Sequence, residues 1–122
     1  MAKVMIVDDS NYTRRTHRRI LESDGHEVYE AATGLAAIEG FFVHQPDLVL
    51  LDLTMEDMSG LEVLRQLRAA RADARIVVIS ADVQRSTAQL VTDSGALGFV
   101  GKPVTSEGLL DTVRSVLSGA TS

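Results

Sequence analysis

The sequence predicts an α/β domain built on a parallel sheet. Three observations lead there. Leu48-Val49-Leu50-Leu51 is an unbroken apolar run without alternation, the pattern of a strand buried on both faces. Apolar runs of this kind alternate with helical patterns along the chain, five of each, and such alternation folds through right-handed crossovers into a sheet covered by helices on both sides. The runs also end in polar groups: Asp8-Asp9, Asp52, Ser80 and Lys102 follow four of the five. In an open α/β sheet the carboxyl ends of the strands form the edge where ligands bind.

The elements follow in order. Lys3 to Val7 is an apolar strand ending at Asp8-Asp9. Ser10 or Asn11 caps a first helix running to about Asp24. Its expected inward stripe is Thr13, Thr16 or His17, Ile20 and Leu21; Arg14, Arg15, Arg18 and Arg19 take the rest, as a solvated face or a surface for an acidic partner. Gly25 stops it. His26 to Ala31, around Val28, is a second strand nearer an edge. Thr33-Gly34 opens a second helix carrying Ala36, Ala37, Ile38, Phe41 and Phe42, and Pro46 limits it. The third strand, Leu48 to Leu51, stops at Asp52. Ser59 caps the third helix, with Leu61, Leu64 and Leu67 inward and Glu62, Arg65 and Arg68 outward. Arg75 to Ile79 is a β-branched fourth strand ending in Ser80-Ala81-Asp82. Val83 to Asp93 is a fourth helix with little to bury. Leu97 to Val100 is the fifth strand, followed by Gly101-Lys102-Pro103. Thr105 caps a fifth helix carrying Leu109, Leu110, Val113, Val116 and Leu117. The polar tail from Ser118 to Ser122 is expected to fray.

Composition narrows the class. The chain has 122 residues, room for one domain with a core and too little for two. A net charge of −5 argues against general nucleic-acid binding. The absence of cysteine removes disulfides, thiolate nucleophiles and Cys-ligated metals. No apolar run reaches the length of a membrane span, and the N-terminal one is too short for a signal peptide, so a cytoplasmic protein is expected. Only Lys3 and Lys102 are lysines among twelve basic residues, which marks Lys102 as a position where the planar fork of Arg does not serve.

Carboxylates converging on one edge repel each other unless a proton or a metal intervenes. The donors there are hard oxygens, which suit Mg2+, an ion that takes few protein carboxylates and keeps several waters. Lys102 and Ser80 add a cation and a hydroxyl suited to phosphoryl oxygens. Phosphoryl transfer needs mainly positioning and charge neutralisation, and a carboxylate beside the metal can itself be the nucleophile.

Val7-Asp8-Asp9-Ser10, Asp52-x-x-Met55-x-x-Met58-Ser59-Gly60, Ser80-Ala81 and Gly98-Phe99-Val100-Gly101-Lys102-Pro103 together resemble the CheY-like receiver domain of bacterial two-component response regulators. The resemblance covers about residues 3–117, so residues 1–122 are read as a single receiver domain. It implies a flavodoxin-like (βα)5 sandwich with strand order 2-1-3-4-5. It implies that Asp52 accepts the phosphoryl group. Asp9 would bind Mg2+ directly, Asp8 largely through water, and the backbone carbonyl of Thr54 would complete the protein ligands. Ser80 and Lys102 would contact the phosphoryl group, Ser80 and Phe99 would form the switch pair, and Lys102-Pro103 would be cis.

This chain departs from the family pattern at Glu56, where proline is usual; the expected result is a looser loop after Asp52. Glu56-Asp57 is read as loop solvation rather than metal ligation. His17, on a helix normally apolar there, is read as partly buried with a local hydrogen bond, in preference to a phosphorelay or pH role.

The implied function is a phosphorylation-activated switch, not an enzyme beyond self-phosphorylation from a phosphodonor and autodephosphorylation. Its partners would be a sensor histidine kinase or a histidine phosphotransfer protein, and a downstream protein meeting the face of the fourth helix, fifth strand and fifth helix. No direct nucleic-acid or membrane partner is expected. Thr54 and Asp82, each two residues past a site residue, would tune dephosphorylation. Rival readings are a Mg2+-dependent phosphohydrolase of the haloacid-dehalogenase type, an FMN binder, and a receiver excised from a longer regulator. The first wants an acid where Thr54 stands. The second wants a hydroxyl-rich loop where Asp8-Asp9 stand.

Overall fold

The computed structural model describes residues 2–119. Five strands and five helices alternate: β1 (Lys3–Val7), α1 (Asn11–Ser23), β2 (Glu27–Ala31), α2 (Gly34–His44), β3 (Leu48–Asp52), α3 (Gly60–Ala70), β4 (Ile76–Ser80), α4 (Arg85–Asp93), β5 (Gly98–Gly101) and α5 (Ser106–Ser118). The strands form one sheet in the order β2-β1-β3-β4-β5, every neighbouring pair parallel. Fold class and strand order are those the sequence predicts.

Strand side chains alternate between two cores because successive Cβ atoms point to opposite faces. Met5, Val7, Val49, Leu51, Ile76 and Val78 lie on one face with Phe41, Leu64, Leu67 and Val91. Val4, Ile6, Leu48, Leu50, Val77 and Ile79 lie on the other with Leu21, Leu109, Val113 and Val116. All five positions of β3 and of β4 are buried, as central strands require. Side-chain caps start four helices: Ser10 accepts from Thr13 N–H, Thr33 from Ala36 N–H, Ser59 from Glu62 N–H and Thr105 from Gly108 N–H.

Several details differ from expectation. The inward face of α3 is Gly60, Val63, Leu64 and Leu67, while Leu61 is half-buried. With the helix beginning at Gly60, the i, i+3, i+4, i+7 stripe selects Val63 and turns Leu61 aside. Of the two candidates Thr16 and His17, it is His17 that joins Leu21 as the buried pair of α1, while Thr13 and Ile20 are half-buried. Helix α4 starts at Arg85 rather than Val83, because the Asp82 carboxylate accepts from Gln84 N–H at 3.0 Å and holds a turn before it. Strand β5 is shifted by one residue to end at Gly101, and each of its residues is only half-buried. Ser118 ends α5 and Gly119 caps it at φ 76°; the rest of the expected frayed tail lies outside the described residues. No described helix is long and apolar enough to cross a membrane.

Candidate functional site

Register builds the site. Val7 pairs with Leu51, so Asp8 and Asp52 leave adjacent strands side by side. Ser80 pairs with Gly101, and Lys102 N–H donates to Ser80 O at 2.9 Å, bringing Lys102 to the same edge. Carboxylate oxygens of Asp8, Asp9 and Asp52 all lie within 4.8 Å of one another. Asp8 and Asp52 are buried and Asp9 is exposed. Lys102 Nζ stands 3.6 Å from Asp8 Oδ2 and 3.5 Å from Asp52 Oδ1, so a single ammonium faces both buried carboxylates.

Local hydrogen bonds orient these groups. Asp8 Oδ1 accepts from Ser10 N–H at 2.8 Å, which bends the chain into α1. Arg14, whose side chain is 11% exposed, reaches back to donate to the Asp8 carbonyl at 2.5 Å and to Glu30 Oε1 at 3.0 Å. Arg14 is expected on a solvated or docking face. It instead braces the β1–α1 loop, and Arg18 also pairs with Glu30, at 2.6 Å. No periodicity marks a side chain that bonds a backbone carbonyl six residues behind it, before the helix begins.

Asp52 Oδ1 accepts from Thr54 N–H at 3.2 Å, while the Thr54 side chain is exposed. Burial pushes the Asp52 carboxyl above the usual carboxylate range; the Thr54 N–H bond opposes this, the Asp8 charge adds to it and Lys102 opposes it. Ser80 is buried, and its Oγ accepts from Asp82 N–H at 2.9 Å. The Asp82 carboxylate is exposed and engaged at the start of α4 by Gln84 N–H and by Thr87 Oγ1, the latter at 2.7 Å. Phe99, opposite Val78, is half-buried against the core on the α3 and α4 side. The Lys102-Pro103 peptide is cis.

Two expectations need correction. His17 is 4% exposed, not partly buried, and its Nδ1 has no hydrogen-bond partner where a local bond was expected. Burial holds its pKa below the usual histidine value, with Asp8 opposing and Lys102 adding to the effect. Asp57 is not merely solvated: its carboxylate oxygens accept from Gly34 N–H at 2.9 Å and Leu35 N–H at 3.2 Å, across to α2.

Known proteins share this arrangement. Residues 4–114 match the response regulator receiver domain. The chain is 35% identical to the chemotaxis protein CheY of Bacillus subtilis over 95% of its own length and 98% of the relative's. A CheY-like response regulator receiver domain protein from Methanospirillum hungatei superposes with a TM-score of 0.92 at 25% identity, covering 98% of this chain and 95% of that one. The CheX–CheY complex of Borrelia burgdorferi, which contains BeF3 and Mg2+, matches with a TM-score of 0.91 at 32% identity, covering 93% of this chain and 87% of that one. Fold, strand-end chemistry and relatives agree, and the chain belongs to the receiver domains of two-component response regulators.

Proposed function

We propose that this receiver takes a phosphoryl group from a phosphohistidine onto Asp52 and hydrolyses the resulting acyl phosphate. The observation that carries this reading is one buried carboxylate at the end of the central strand, flanked by two more carboxylates and a lysine. An ionised Asp52 oxygen attacks phosphorus, the P–N bond breaks, and its electron pair leaves with the imidazole nitrogen, which takes up a proton from solvent. In hydrolysis, water attacks phosphorus, the P–O bond to Asp52 breaks, and the carboxylate and inorganic phosphate separate.

The donor set fits Mg2+: three carboxylates and a backbone carbonyl are hard oxygens, and Lys102 offsets only part of their charge. Asp9, Asp52 and the Thr54 carbonyl would hold the ion directly and Asp8 largely through water. Bound there, it would neutralise the acidic cluster and polarise the phosphoryl oxygens. Lys102 would then trade its carboxylate partners for a phosphoryl oxygen. Ser80 Oγ, whose present bond is accepted from Asp82 N–H, keeps its proton available to donate to another. Phosphohistidine donors would be a sensor kinase or a histidine phosphotransfer protein. The responding surface would be the face of α4, β5 and α5, with Phe99 as its switch aromatic.

The test is labelling by acetyl phosphate with and without Mg2+, in the wild-type chain and in Asp52→Asn. Labelling should require the ion and vanish in the variant. Undiminished labelling of Asp52→Asn removes the proposal, and turnover of other phosphate esters would favour the hydrolase reading instead.

A further inference from the structure

The loop 53–59 carries Thr54 and lacks the proline that the family pattern places at position 56. Glu56, standing there, is exposed. The loop is nonetheless pinned on both sides. At its far end Gly60 N–H donates to Leu53 O at 2.8 Å. A Cβ on Gly60 would lie 2.5 Å from Asp52 O and 2.6 Å from Leu53 Cα, so only glycine permits this closure. In its middle the Asp57 carboxylate bonds the first two N–H groups of α2, and Thr33 Oγ1 takes the third from Ala36 at 3.0 Å. Those groups have no partners within their own helix. An anion is favoured at that end by the helix dipole, and charge-assisted bonds are about twice as strong as neutral ones. The Gly34 N–H holds the Asp57 carboxyl below the usual carboxylate range; burial opposes this, and the N–H groups of Leu35, Met58 and Asp57 add to it. Gly34 also leaves room for Met58, which a side chain there would strike.

We propose that Asp57 is a positioning residue: its carboxylate, clasped on the N-terminus of α2, holds the β3–α3 loop in the conformation that presents the Thr54 carbonyl beside Asp52. A loop proline restrains one φ from within. The Asp57 clasp restrains the same loop from outside, through an attachment to the neighbouring helix. The inference rests on the proposed function for the role of Thr54 in ligation, and it is tested on the metal-binding step alone.

The experiment compares wild type with Asp57→Ala, Asp57→Asn and the double variant Glu56→Pro/Asp57→Ala. Amide hydrogen exchange is followed without metal, and Mg2+ is titrated against backbone amide chemical shifts. In Asp57→Ala, the Gly34 and Leu35 amides should exchange faster and Mg2+ affinity should fall about tenfold, the lower end of what outer-shell partners contribute to a metal site. Labelling at saturating Mg2+ should persist. Asp57→Asn, with one acceptor oxygen, should fall between. The double variant should recover Mg2+ affinity while Gly34 and Leu35 stay fast, which a mere helix cap could not produce.

Unchanged Mg2+ affinity in Asp57→Ala would overturn the inference and leave the clasp a cap of α2. Equal losses in Asp57→Ala and Asp57→Asn, with no recovery in the double variant, would overturn it in favour of a plain charge effect. A wild-type chain that binds no Mg2+ would sink the proposed function together with the inference, while the exchange rates would still report whether the clasp exists.

Discussion

Lys102 carries two demands that arginine cannot meet together. Its ammonium sits at nearly equal distance from Asp8 and Asp52, acting as a compact charge shared between two carboxylates. A guanidinium would engage one carboxylate through its planar fork and hold it. Lys102→Arg is therefore expected to keep the fold and lose the signalling response, even if some label still reaches Asp52. Full response in that variant, measured as the chemical-shift change on phosphorylation, would mean that charge alone suffices. Asp52 makes a stability prediction of the opposite kind. Its folded pKa is raised, chiefly by burial, so the folded chain holds this proton more tightly than the unfolded chain does. The contribution to stability is present below the ordinary carboxylate pKa of 3.8 and is lost as pH rises through the folded value. At neutral pH and without Mg2+, Asp52→Asn should therefore melt a few degrees higher than wild type, the scale of about 1 kcal/mol in a domain this size. An equal or lower melting temperature would show that Lys102 and Thr54 N–H fully compensate the charge.

Among the elements, legibility followed the kind of signal each one carries. Strands β1, β3 and β4 could be read because central parallel strands are apolar throughout and end in polar residues at a common edge. Capped helices could be read because Ser10, Thr33, Ser59 and Thr105 precede periodic stripes. The clasp from Asp57 could not, because its partners are backbone N–H groups 23 and 22 residues upstream, which no residue type announces. Nor could the start of α4, where Gln84 makes no side-chain cap bond and Asp82 does the holding from outside the helix. Asp82 thereby joins two functions: its N–H donates to the Ser80 hydroxyl and its carboxylate grips Gln84 and Thr87. Asp82→Ala should speed amide exchange in the first turn of α4 severalfold and change the lifetime of the phosphorylated state, with little effect on the melting temperature. Thr54, beside the acceptor, should alter that lifetime when substituted without loosening α4. If neither substitution changes the lifetime, the attacking water is controlled elsewhere.

Across the whole molecule the two sides of the sheet are held unequally. On the side of α1 and α5, Arg114 of α5 donates to both carboxylate oxygens of Asp24 at 3.1 and 2.7 Å, tying α5 to the end of α1. Arg14 and Arg18 tie α1 to β2 through Glu30. Helix α4 has none of this: Val91 is its one buried residue, and among the described residues no ion pair joins it to another element. Val83 just before it is 63% exposed, and its Cγ1 lies where a Cβ on Gly101 would stand 2.7 Å away, so the loop leading to α4 rests on a bare stretch of β5. A charge placed on Asp52 that draws Ser80 toward it would release the Asp82 N–H and free the loop to move. Phe99, half-buried on the same side and lacking a phenolic hydroxyl to anchor an outward state, would be the aromatic to follow that movement. Beryllofluoride with Mg2+ should therefore shift amide resonances in 81–101 and in α5's exposed face, and leave α1 and β2 close to their resting positions. Large shifts in α1 with Phe99 and α4 unchanged would move the responding surface to the opposite side of the sheet.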